Sequence, residues 1–263
     1  MLPTSIQKRV LFSVFCCLTA LALVVNATTL PGHAEDITGR DLLSITRVAQ
    51  GGPQYAGMQN MTIKAGGFVN MAAFAGIGAN PLAGAVEVKL NLTDVQDKQG
   101  HRRLDVAPSG AMIGGPTYLV YTGTEGGGMF SGNPFRVTEV AASRHWAMMS
   151  FDTLNRAVEG QLPAVRQKDE GNNFVVEVKV NAQDTIRYWI NKQTFYIDKA
   201  VTRYNGKVMV EEERSNYKKV DCMMLPFRVV TRLQGQRLAD LTIESYDLKT
   251  EVPAAKFTIT AEQ

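Results

Sequence analysis

The sequence predicts a mainly β protein of the α+β class, built on one large curved antiparallel sheet with few helices. Three observations lead there. From Asn173 to Gln263, strand-like runs alternate with turn residues at a spacing of roughly 8–12, the pattern of a meander. Val86 to Leu92 alternates strictly, with Val86, Val88, Leu90 and Leu92 on one face and Glu87, Lys89 and Asn91 on the other. Helical spacing of apolar residues is confined to Asp41 to Gln50 and Val140 to Ala157.

In chain order, Lys8 and Arg9 precede an apolar run from Val10 to Val25, broken by Ser13 and Thr19. Gly32-His33-Ala34 then sets small residues at the −3 and −1 positions of a cut, and Val25-Asn26-Ala27 offers a second one. A run of about 16 residues is short for a membrane span of about 20, which favours a cleaved signal over an anchor. Residues 1–34 are therefore expected to be a signal peptide, and residues 35–263 a single domain without a stable transmembrane span. Cys16 and Cys17 fill the apolar run.

Leu42, Ile45 and Ala49 mark the first helix. Thr38 is its expected cap, Asp41 sits near the positive end of its dipole, and Gly51-Gly52-Pro53 stops it. Ala65 to Ala85, rich in Gly, Ala and Met, reads as a loop or a loosely packed edge. Gln99-Gly100 turns the Val86 to Leu92 strand into Arg102 to Val106, and Tyr118 to Tyr121 is a further strand. The run Thr122 to Gly128 lacks the Lys-Ser/Thr ending and following helix of a phosphate loop, so it reads as a hairpin or rim. Val140 to Ala157 is the second helix, with Ala141, His145, Met148, Met149, Leu154 and Ala157 at near-helical spacing.

Phe174 to Val180, Thr185 to Ile190, Thr194 to Arg203, Lys207 to Glu212, Phe227 to Leu233 and Arg237 to Leu248 are the meander strands. Asn205-Gly206 is the strongest hairpin signal, because both residues tolerate positive φ. Pro226, lacking an N–H, is expected to open its strand. Glu211-Glu212-Glu213 alternates faces and reads as a solvated edge that discourages further pairing. Strands of eight to ten residues span roughly 26–33 Å, enough for one large sheet.

The composition excludes several functions. Removing residues 1–34 takes Lys8 and Arg9 and no acid, lowering the net charge from +3 to +1. With no Lys/Arg block longer than two residues, nucleic acid is not an expected partner. Cys222 is the only cysteine after the cut, so an internal disulfide is impossible and buried filler is its expected role. His101, beside Arg102-Arg103 in a turn, reads as solvated, and His145 as a core or helix-surface residue. Asp184, Asp198, Asp221 and Asp240 read as turn-adjacent or exposed. No catalytic cluster, metal-ligand spacing or cofactor motif is present, and a non-enzymatic protein is expected.

Tyr188-Trp189-Ile190-Asn191-Lys192-Gln193-Thr194 resembles a strand–turn segment of the outer-membrane lipoprotein-sorting (LolA/LolB-like) superfamily. So does Tyr217-Lys218-Lys219-Val220-Asp221 followed by Leu225-Pro226-Phe227-Arg228, although Asp221-Cys222-Met223 stands where the glycine of the family's Val-Asp-Gly turn is expected. The resemblance spans Asn173 to Phe257, and the element order fits along the rest. It implies a periplasmic half-open antiparallel barrel whose helices cover the concave face. It also implies a carrier of lipid or acylated protein, with envelope transport proteins as possible partners. Ten methionines after Met1 suit an adaptable apolar lining or an irregular core. The groove candidates are Trp146, Met149 and Phe151 on the second helix, facing Trp189, Phe195 and Phe227 on the meander. The alternative is an envelope protein-interaction module with a filled sheet.

Overall fold

The computed structural model describes residues 37–70, 87–108, 115–137 and 142–259. The expected signal and its cut, and residues 71–85 of the expected loop, lie outside them. Helices α1 (Gly39–Gln50) and α2 (Pro53–Ala56) lead into β1 (Asn60–Asn70), β2 (Glu87–Asp97), β3 (Arg102–Pro108), β4 (Thr117–Tyr121), β5 (Gly126–Phe130) and β6 (Asn133–Val137). Helices α3 (Ala142–Ala147) and α4 (Phe151–Val158) follow. Then come β7 (Ala164–Arg166), β8 (Asn173–Lys179), β9 (Asp184–Asn191), β10 (Ile197–Tyr204), β11 (Lys207–Val220), β12 (Met223–Leu233), β13 (Gln236–Asp247) and a 3-10 turn at Ala254–Phe257.

Among the described residues these thirteen strands form one sheet, ordered β6-β5-β4-β3-β2-β1-β13-β12-β11-β10-β9-β8-β7. Every neighbouring pair is antiparallel. Two meanders thus grow outward from a central seam between β1 and β13. The sheet is not closed: β6 and β7 are its edges, and α3 and α4 connect them. Its curvature follows from one contact pattern. The six-residue helix α3 packs on β4 and also on β10 and β11. β4 and β10 lie seven steps apart in the sheet, about 34 Å along its surface. A helix of that length measures about 9 Å. The sheet must therefore curl around α3, with the helices on its concave side.

Local structure follows the residues closely at several places. Thr38 caps α1 through a reciprocal box: its Oγ1 accepts from the Asp41 N–H at 3.2 Å, and its own N–H donates to Asp41 Oδ2 at 3.1 Å. The buried stripe of α1 is Leu42, Leu43, Thr46 and Gln50, offset from the expected Leu42, Ile45 and Ala49. Asn205 and Gly206 take φ of 47° and 79°, the I′ geometry their identities suggest. Val at Gly206 would put a β-branched residue at positive φ and should cost about 1–3 kcal/mol, read as a lowered urea midpoint.

Six expectations are corrected. Ala65 to Asn70 is not loop but the second half of β1, paired on both sides. Its glycines mislead because they mark backbone crowding: a Cβ on Gly67 would lie 2.1 Å from the Asp240 carbonyl oxygen. The helix expected over residues 140–157 breaks between Ala147 and Phe151, where Ser150 is extended (φ −65°, ψ 162°); Val140 and Ala141 lie outside the described residues. Pro226 sits inside β12, tolerated because the ladder to β13 begins only at Arg228. Glu211 to Glu213 lie on β11, an interior strand, and each is ion-paired. Asp184 is 1% exposed, and Cys222 is half-buried.

Candidate functional site

The concave face divides into two regions. Under α1, α2 and α4 lies a filled core in which Leu42, Leu43, Leu154, Ile186, Tyr188 and Met223 are fully buried. Beyond the helices, β1, β2, β3 and β13 present a second apolar surface of Val69, Leu90, Leu92, Val106 and Ala239. Strand alternation builds it: Ala65, Val69, Leu90, Leu92, Leu104 and Val106 share inward parity, and Ala239, Leu241 and Ile243 face β1 in register. The space between this surface and the helices is a groove with a cavity of about 170 Å³.

A polar belt crosses the groove where the two regions meet. On β2 and β3, the Arg102 guanidinium donates to both oxygens of Asp94, at 2.6–3.2 Å. On β11, Arg214 donates to Glu212 Oε2 at 2.9 and 3.3 Å. All four side chains line the groove and are at most 15% exposed. Burial opposes the Arg214 charge, but Glu212 more than offsets that and holds its pKa above the ordinary arginine value. The same arginines fasten the helical connection. Arg102 donates to the Trp146 carbonyl at 2.5 Å and Arg214 to the Met149 carbonyl at 3.1 Å. The Arg102 guanidinium also lies 3.9 Å over the Trp146 ring. The break between α3 and α4 thus leaves carbonyls that the belt holds against the sheet.

Of the residues singled out in the sequence, Trp146, Met149 and Phe151 line this groove. Trp189, Phe195 and Phe227 stand elsewhere. Trp189 points away from the buried face of β9, its indole N–H donating to Glu170 and its ring under Lys199. Phe195 occupies a turn at φ 58° and stacks on Phe174. Phe227 packs edge-on against Tyr246, which does line the groove. Sequence reading missed Asp94, Gln96, Arg102, Glu212 and Arg214. Their signal was parity: each continues the inward side of an apolar strand face.

A second polar cluster anchors α3 outside the groove. Arg144 donates to Asp184 at 2.8 Å, and His145 Nε2 lies 3.6 Å from Asp184. His145 has no exposure, and among the described residues neither ring nitrogen has a hydrogen-bond partner. Burial pushes its pKa down to about 4; Asp184 opposes the shift and Arg144 adds to it. The folded ring is therefore neutral, while the unfolded chain binds a proton near pH 6.5. Stability is complete above that pH and should fall by about 3 kcal/mol as pH drops toward 4. Asp152 works oppositely: burial raises its carboxyl to about 6, so its contribution is lost as pH rises from 3.8 to 6. The expected result is therefore read as a difference. Urea midpoints of wild type and His145→Gln should converge between pH 6.5 and 4.

No protein-family profile and no curated protein sequence matches the chain. Solved structures do. The LolA superfamily protein from Nitrosomonas europaea aligns with a TM-score of 0.54 at 13% identity, covering 84% of this chain and 98% of that one. A DUF1329 family protein from Desulfovibrio piger gives 0.47 at 11% identity, over 84% and 95% of the two chains. A domain described as an outer membrane lipoprotein-sorting protein, from Vibrio parahaemolyticus, gives 0.46 at 13%, over 83% and 95%. Among the described residues no helix is long and apolar enough to cross a membrane. The chain therefore has the fold of the LolA superfamily protein, an open antiparallel half-barrel with helices over its concave face.

Proposed function

We propose that this protein is a non-enzymatic carrier of lipid or acylated protein in the periplasm, holding acyl chains in the groove. One observation carries the reading: the apolar wall of β1, β2, β3 and β13 lines a cavity of about 170 Å³ on the concave side of the sheet. Each buried CH₂ contributes about 0.8 kcal/mol, so an acyl chain can be held there without specific polar contacts. The fold shared with the LolA superfamily protein supports the same reading, as does the export pattern of residues 1–34. Envelope transport proteins are the partners such a carrier would need.

The test is extraction and mass spectrometry of lipid co-purified from the host periplasm, followed by titration of the delipidated protein with the neutral dye phenylnaphthylamine. Lipid in the extract and saturable dye fluorescence are expected. Trp146→Asp should weaken dye binding about tenfold or more, since it removes a large apolar lining group and draws Arg102 from Asp94. An empty extract and no saturable fluorescence would favour an envelope interaction module.

A further inference from the structure

The polar belt of the groove holds buried acceptors without donors. The Gln96 side chain is 2% exposed, and its Nε2 donates to Asp94 Oδ2 at 3.0 Å. A carboxylate has no proton to give, so this contact fixes the amide with nitrogen toward Asp94 and oxygen away from it. That Oε1 is buried and, among the described residues, receives no hydrogen bond. Gln50, 3% exposed at the end of α1, also lines the groove with a buried, unpartnered Oε1. Both contacts from Arg214 fall on Oε2 of Glu212, a carboxylate that can only accept. The cations are engaged: Arg102 serves Asp94 and the Trp146 carbonyl, Arg214 serves Glu212 and the Met149 carbonyl. Buried acceptors without donors are costly, and an anion arriving here would meet the carboxylates of Asp94 and Glu212, whose arginines are already ion-paired with them.

Building on the carrier reading, we infer that the groove selects an uncharged amphiphile whose head bears hydroxyl or amide N–H donors, and discriminates against anionic heads. The head lies against Gln50, Gln96 and Glu212, while the chain runs along Leu90, Leu92 and Val106. Carboxylate- and phosphate-headed lipids bring acceptors to a site that already has too many.

The experiment is displacement of phenylnaphthylamine from the delipidated full chain by three palmitoyl compounds at mildly alkaline pH. Monopalmitoylglycerol offers donors, palmitate a negative charge, and methyl palmitate neither. Monopalmitoylglycerol should bind about tenfold or more tightly than either of the others, because only it satisfies the free acceptors. Gln96→Leu should erase its advantage over methyl palmitate. Palmitate binding as tightly as monopalmitoylglycerol would overturn the inference and leave the carrier reading standing, as would a preference that survives Gln96→Leu and Gln50→Leu. If neither dye nor any palmitoyl compound binds, the carrier reading itself fails. The wild-type ranking needs no variant, so a misfolded mutant does not rescue the inference.

Discussion

Glu212→Met should destabilise the fold by about 3–5 kcal/mol, because it leaves Arg214 charged and buried without its counter-ion. The Glu212 and Arg214 side chains are 7% and 15% exposed, and among the described residues Arg214 would keep the Met149 carbonyl as its hydrogen-bond acceptor. That carbonyl is a dipole and cannot replace a carboxylate. The double variant Glu212→Met/Arg214→Met should recover much of the loss, since removing both charges removes the desolvation cost. Urea unfolding of the wild type, both single variants and the double variant closes the cycle. Equal losses in Glu212→Met and the double variant would show that shape, not charge, is what Glu212 supplies. If the pair earns its place through function, the double variant should fold well yet lose discrimination among lipid heads.

Gly67→Ala should cost about 3 kcal/mol, although alanine is among the smallest possible changes. A Cβ there would sit 2.1 Å from the Asp240 carbonyl oxygen and 2.9 Å from Leu241 Cα. Both are backbone atoms of β13, so no side chain can rotate away. The clash falls on the seam that joins the two meanders, where no third element offers an alternative pairing. Gly66→Ala is the natural control. Its Cβ would meet the carboxylate end of Glu244 at 3.1 Å and the amide end of Asn91 at 3.3 Å, both flexible. That variant should cost under about 1 kcal/mol. Similar midpoints for the two variants would mean that the β1–β13 seam can relax.

Local rules made much of this fold legible in the sequence. Alternation in Val88, Leu90 and Leu92 placed the groove-facing side of β2, and the Asn205-Gly206 dipeptide specified its turn through positive φ. Thr38 and Asp41 fixed the start of α1 by a hydrogen-bond box contained within four residues. Even the Asp221-Cys222 connection, where glycine was expected, is a two-residue turn in which Asp221 takes φ 52°. Each of these features depends on neighbours a few residues away.

What only the tertiary structure decided depends on which strands meet. The glycines of residues 65–67 read as loop because their role, the close approach of β13, comes from a strand more than 170 residues later. Glu211 to Glu213 resembled an edge because the sequence does not reveal that β11 has neighbours on both sides. Pairing also turned Glu212 into a buried ion-pair partner and brought Gln96 opposite Arg102. Parity alone could have set these polar residues on the inward face. Only the curl of the sheet around α3, and the Arg102 and Arg214 bonds to the broken helix, made that inward face a groove with a polar belt across it.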